Sequence, residues 1–256
     1  MAFPTVRSAY ANVQGVNSTS WTITLPDGTH NDVNDGSGFI VDGDLILINI
    51  GRDGTGTTAS ISGYDRIFSA TAGTVAAARG ITFARIASSD SPGSTVSFST
   101  NSEQGAWRVV VIRDWYGSGH ADGTGVAVSS ATGNAGTSAN PDPDTVTPGW
   151  GSADNYYRAL CAWDDGRPNA TTFPTNFTTN ANSDASGGSG GAGLGGGTRT
   201  NASSSENPGT FTLTGTGSST EWVAWTIAVR PAVPIPPTED QSTLGVFLQA
   251  VKASVW

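Results

Sequence analysis

The chain has 256 residues, enough for one large β domain or two small ones, with 12 Lys+Arg against 21 Asp+Glu and a formal net charge of −9. Clustered cations are missing, which disfavours a phosphate-contacting nucleic-acid surface and an anionic membrane surface alike. Charged residues make up only 13%, yet eight Trp and nine Phe remain, so the chain can build an apolar core and Gly, Ser and Thr fill the turns.

In chain order, Ser20 to Leu25 alternates around Trp21, Ile23 and Leu25 and stops at Pro26-Asp27-Gly28, a strand running into a turn. Leu45 to Ile50 is continuously apolar and reads as a central strand buried on both faces. Gly73 to Arg79 has helical composition but is short. Gly80 to Ile86 is a further strand, and Thr95 to Thr100 with Ala106 to Arg113 reads as a hairpin-like pair. The second half offers strands at Asn155 to Trp163, Thr198 to Ala202, Thr210 to Thr214 and Glu221 to Val229. Between them Ala181 to Gly197 (ANSDASGGSGGAGLGGG) reads either as a flexible surface loop or as a loop packed backbone to backbone against a neighbour, as only Gly permits. Turn signals recur about every ten residues, the pattern of a sandwich, jelly roll or barrel.

The elements repeat. Asp42 and Asp53-Gly54 fall on Asp154 and Asp165-Gly166 at a constant offset of 112 residues. Asp90-Ser91-Pro92-Gly93 recurs as Glu206-Asn207-Pro208-Gly209, and Trp107 to Arg113 recurs as Trp222 to Arg230. Three matches in order predict an internal duplication, with half-repeats at about 20–115 and 127–231 inside a body spanning 1–231. The predicted fold class is all-β: an antiparallel, jelly-roll-like sandwich of two similar halves. Leu45, Leu47 or Ile48, Val109, Val111, Leu160, Ile227 and Val229 should lie inside, with Trp107 and Trp222 in equivalent places.

Residues 232–256 have another character. Pro231-Ala232-Val233-Pro234-Ile235-Pro236-Pro237 reads as a stiff polyproline spacer of about 20 Å. Beyond it Leu244, Phe247, Leu248, Val251 and Val255 recur at helical spacing, followed by Trp256. This is an apolar tail suited to docking on another polypeptide.

Chemistry is sparse. The only histidines, His30 and His120, sit in loop-like sequence away from any nucleophile motif. The pairs Asp42/Asp44, Asp142/Asp144 and Asp164/Asp165 suit turns better than two carboxylates facing across a cleft. Cys161 is the single cysteine, in an apolar strand, so no internal disulfide forms. No catalytic residue, cofactor or metal site is expected. The N-terminus lacks the apolar core of a secretory signal, and no stretch approaches a membrane span. Aromatics near turns, Trp115, Tyr116 and Trp150, are the candidates to face a ligand.

The second half runs Pro141-Asp142-Pro143-Asp144, Pro148-Gly149-Trp150-Gly151, Asp164-Asp165-Gly166-Arg167, Phe173-Pro174-Thr175-Asn176-Phe177, Glu206-Asn207-Pro208-Gly209 and Trp222 to Pro231. This order resembles a family of β-rich virion structural proteins of tailed bacteriophages and prophages. The resemblance covers residues 42 to 231. It implies a jelly-roll-like structural protein of the virion and leaves its place on the particle open. The expected role is a capsid decoration, cement or head-spike protein on the particle surface, made in the bacterial cytoplasm because no secretory signal is evident. A tail-associated or receptor- or carbohydrate-binding module is the alternative. Implied partners are a major capsid or tail protein, further copies of the chain in a homo-oligomer such as a trimer, and a host-surface glycan. The family ends near the Arg-Pro after the last strand, so residues 232–256 depart from it.

Overall fold

The computed structural model describes residues 2–27, 39–74, 77–129, 140–164, 170–184, 191–213 and 221–233. The regular elements among these residues are strands, and every strand pair is antiparallel. The first sheet contains β1 (Thr5–Thr24), β2 (Leu45–Asp53), β4 (Asp65–Ala72), β5 (Ala78–Ile86) and β6 (Thr95–Arg113) in the order β1-β6-β2-β5-β4, and β3 (Ala59–Ile61) pairs β6. The second contains β7 (Val126–Val128), β8 (Ala153–Trp163), β10 (Thr178–Asp184), β11 (Gly193–Ser203) and β13 (Trp222–Val229) in the order β7-β13-β8-β11-β10. A small third sheet pairs β9 (Ala170–Thr172) with β12 (Thr212–Leu213). Replacing each second-half strand by its counterpart turns one order into the other, including the pairing of the short β3 and β9. The fold is an all-β sandwich of two similar halves.

The sheets meet face to face over a core that includes Leu45, Leu47, Val110 and Ile112 from the first and Leu160, Val223, Trp225, Ile227 and Val229 from the second. Trp225 carries much of this contact. Its ring stacks on Phe68 at 4.9 Å, and its Nε1 donates to Thr82 Oγ1 at 3.0 Å. Thr82 in turn donates to Asn49 Oδ1 at 3.1 Å. A buried indole N–H thus finds a partner in the opposite sheet, and that fixes how the two sheets register.

Each sheet is also covered on its far side. Near Gly105 the long strand β6 turns over the outer face of its own sheet, while the β1–β6 register breaks between Gln14 and Ser20. A β-carbon at Gly105 would lie 2.3 Å from the Gly51 carbonyl oxygen and 2.5 Å from the Trp21 ring. Trp21, Ile23, Ile61 and Phe98 on the turned-over part pack on Ile46, Ile48, Ile50, Trp107, Val109 and Val111. In the second half Phe177, Phe211 and Leu213 cover Tyr157, Ala159, Cys161, Trp163 and Trp222. The predicted inside residues are all buried, but in two layers: Val109 and Val111 face outward from the sheet whose Leu45 and Leu47 face the other half. Trp107 and Trp222 both lie on the outer faces but not in equivalent places: Trp107 pairs Ile50 while Trp222 pairs Trp163, and with Arg113 matched to Arg230 the position of Trp107 is taken by Ala224.

Several expectations change. Residues Thr95–Arg113 form one strand rather than a hairpin, because polar Asn101 to Gly105 marks a bend rather than a reversal. The offset of 112 aligns turns but not side chains: Leu45 and Leu47 face the inter-sheet core, whereas Tyr157 and Ala159 face away from it. A one-residue slip exchanges the faces of a strand. Of the predicted loop Ala181 to Gly197, Ala181–Asp184 belongs to β10 and Gly193–Gly197 starts β11, paired to β8 from Gly193↔Trp163 onward, so the close backbone packing that glycine permits occurs within a strand. A β-carbon at Gly193 would meet the Trp163 ring at 2.2 Å. Of Gly73 to Arg79, Ala78 and Arg79 open β5, and residues 75–76 lie outside the described set. Thr5 to Thr19 lacks apolar alternation and yet is strand, since it pairs with β6. Residues 234–256, with Leu244, Phe247, Leu248, Val251, Val255 and Trp256, lie outside the described residues, as does His30.

Candidate functional site

Where the halves join, the strand ends are pinned to the connecting segment. Asp114 leaves β6 with φ +58°, and Trp115 bridges Pro231. The Tyr116 N–H donates to the Arg230 carbonyl, the Arg230 N–H to the Gly125 carbonyl and the Ala232 N–H to the Asp114 carbonyl, each at 2.9 Å. Residues 114–125 and 230–232 therefore behave as one laced unit. Trp115 is a core residue: it is 5% exposed and its Nε1 donates to the Gly43 carbonyl at 2.8 Å, so it does not face a ligand. Tyr116 and Trp150 are half-buried at the surface.

Trp150 lines a groove of about 270 Å³ together with Asp122, Gly123, Thr124, Gly149 and Arg230, and Tyr116 touches it only through Arg230. Trp150 sits in the turn closed by the Gly151 N–H on the Pro148 carbonyl, with Gly151 at φ +78°, a conformation that suits glycine. Its Nε1 donates to Asn155 Oδ1 at 2.8 Å, which fixes the plane of the ring. The Arg230 guanidinium lies 3.9 Å above the Tyr116 ring and donates to the Thr124 carbonyl at 3.4 Å. Asp122 Oδ1 accepts from the Thr124 N–H at 3.0 Å and from Thr124 Oγ1 at 2.7 Å. Those bonds to the charged form hold the Asp122 carboxyl below its ordinary range.

The first half places an ion pair at the matching location. Asp44 and Arg113 stand one position beyond the Leu45↔Ile112 pair that closes β2 on β6. Arg113 donates to both oxygens of Asp44, at 3.0 and 3.2 Å. Asn155 and Arg230 stand one position beyond Tyr156↔Val229, which closes β8 on β13. Here the carboxylate is replaced by an amide whose hydrogen bonds go to Trp150, Tyr157 and the Ser203 carbonyl. Among the described residues, Arg230 has no carboxylate within 4 Å.

Other polar groups serve structure. Asp42 Oδ1 accepts the Ser89 N–H at 2.7 Å, and Asp164 Oδ1 accepts the Glu221 N–H at 3.0 Å. Arg199 pairs with buried Glu206 at 2.6 Å, which Asn201 also contacts. His120 Nε2 lies 2.9 Å from Asp65 Oδ2, joining the 114–125 segment to the start of β4. Burial pushes the Cys161 thiol well above its ordinary range, leaving it unionised. No group of three His, Cys, Asp or Glu side chains among the described residues could hold a metal ion, and no helix there is long and apolar enough to cross a membrane.

Of the aromatics named from the sequence, Trp150 lines the groove and Tyr116 lies beneath Arg230, while Arg230, Asp122 and Thr124 were not singled out. Arg230 was visible only as the end of a repeated strand, and its separation of 80 residues from Trp150 hides their convergence on one groove. Comparison with family models, with curated proteins and with solved structures finds no match for the chain.

Proposed function

We propose that this chain is a structural protein of a tailed-phage virion, decorating or cementing the particle surface through residues 232–256. The supporting observation is mechanical. The Pro-rich spacer starts from a fixed base, because Trp115 bridges Pro231 and the Ala232 N–H is held by Asp114. A spacer that leaves a rigid body at a set point limits the ordering cost of docking whatever follows it. The sequence that follows carries Leu244, Phe247, Leu248, Val251, Val255 and Trp256. At roughly 25 cal/mol per Å² of apolar surface, burying these side chains on a partner favours docking by several kcal/mol before ordering costs. In this reading the partner is a major capsid or tail protein, further copies of the chain assemble with it, and the chain is no enzyme and needs no cofactor.

Deleting residues 238–256 tests the reading. The truncated body should fold, and its copy number in purified particles, measured by mass spectrometry, should fall to background. Incorporation equal to that of the full chain would refute docking through the tail. Absence of the full chain from purified particles would refute the virion assignment itself.

A further inference from the structure

We propose that the groove between Trp150 and Arg230 binds a carboxylate-bearing sugar, the pyranose ring lying on the Trp150 face and its carboxylate taken by the Arg230 guanidinium. The proposal goes beyond the assembly role and does not depend on it.

The duplication supplies the argument. Both halves end their central strand pair with an arginine opposite a side chain of similar shape. In the first half that side chain is Asp44, 2% exposed, and the arginine is satisfied. In the second half it is Asn155, 0% exposed and fully engaged elsewhere. The cation has been kept and its internal anion removed. Arg230 is nonetheless held in place: Tyr116 supports its plane and the Thr124 carbonyl anchors one nitrogen. A guanidinium fixed in orientation, without a carboxylate of its own, is matched by a planar carboxylate accepting two N–H bonds.

The rest of the groove selects a sugar over a bare anion. The indole of Trp150 is oriented by its bond to Asn155, so its face is a stable platform for the C–H face of a pyranose. Asp122 binds Thr124 through Oδ1, and Oδ2 is left to accept ligand hydroxyls. Asp122 would repel a second negative charge, which confines the ligand's carboxylate to the Arg230 end. A volume of about 270 Å³ suits one monosaccharide unit. In the first half Phe39 stands five positions before Asp44, as Trp150 stands five before Asn155, but there the arginine is already neutralised. The site therefore belongs to the second half alone.

The test uses the full chain labelled with ¹⁵N, titrated with D-glucuronate, with D-glucose and acetate as separate controls. Glucuronate should shift the Trp150 indole N–H and the Gly123 and Gly149 amides in a saturable manner. D-glucose and acetate, each lacking one arm of the contact, should bind at least about tenfold more weakly. Arg230→Gln should weaken glucuronate binding by about tenfold or more while leaving distant amide shifts unchanged. Trp150→Phe, which keeps an apolar side chain in place, should weaken it several-fold, read at Gly149. No shift with glucuronate, equal shifts with glucose or acetate, or unchanged affinity in both variants would overturn the proposal.

Discussion

Asp44 shows how much one side chain organises. It accepts two bonds from Arg113, lies 3.9 Å from Arg7 Nε and accepts the Val41 N–H at 3.0 Å, all while 2% exposed. Asp44→Asn reproduces the second-half arrangement and should destabilise the protein by about 1–2 kcal/mol. The figure lies below that for a fully buried pair because the Arg113 side chain is 31% exposed and can regain water. Thermal unfolding should show a fall of about 2–8 °C, and an unchanged midpoint would deny Asp44 this role. Cys161 is a second case, its thiol kept neutral by burial between Tyr157 and Trp163 in their outer-face cluster. A thiol reagent at pH 8 should leave it unmodified in the native protein and modify it after unfolding in guanidinium. Asp122 is exposed, and Thr124 donates both a side-chain and a main-chain bond to its carboxylate, the largest causes of its lowered value. Thr124→Val should move the Asp122 titration upward toward its ordinary value, as followed by carboxyl NMR. The sign follows from the depressed value in the folded protein: whatever this group adds to stability is present above its unfolded pKa and is lost as pH falls through the folded one.

Among the elements, the glycine-bearing strands set the spacing of the sheets. A β-carbon at Gly51 would come within 2.4 Å of the Gly193 carbonyl oxygen, and one at Gly80 within 2.6 Å of the Trp225 ring. Neither glycine needs a positive φ, so the requirement is for space and not for backbone freedom. Gly80→Ala should cost about 1–3 kcal/mol, since a buried indole that is already hydrogen-bonded must move. Gly51→Ala should cost at least as much, because the obstacle is backbone. Denaturant melts would check both, and a neutral Gly51→Ala would mean that the sheets can slide apart freely. The sequence displayed Leu45–Ile50 as a central strand because both faces are apolar. It concealed Gly193–Gly197, because a strand made of glycine has no side-chain periodicity to read.

For the whole molecule, the shared core between the sheets makes the halves interdependent. Leu45, Val110, Leu160 and Trp225 belong to one cluster, so separating the halves exposes apolar surface from both. The full chain should therefore unfold in a single transition, with Trp fluorescence and far-ultraviolet circular dichroism coinciding. A fragment ending at Gly125 should associate or aggregate, and a soluble, cooperatively folded monomer from it would show that the halves are independent.

The fold class and the duplication were written in the sequence, because apolar alternation, turn residues and repeated order are local signals that survive without tertiary contacts. Trp150 and Tyr116 could be named as surface aromatics for the same reason. Which face each strand turns inward was decided only by the packed sheets, since an offset that aligns turns can misplace every side chain by one position. The burial of Trp115 and the convergence of Arg230 and Trp150 on one groove were likewise decided in three dimensions. Both depend on two strand ends lying side by side, and residues so far apart in the chain leave no mark of that convergence in their spacing.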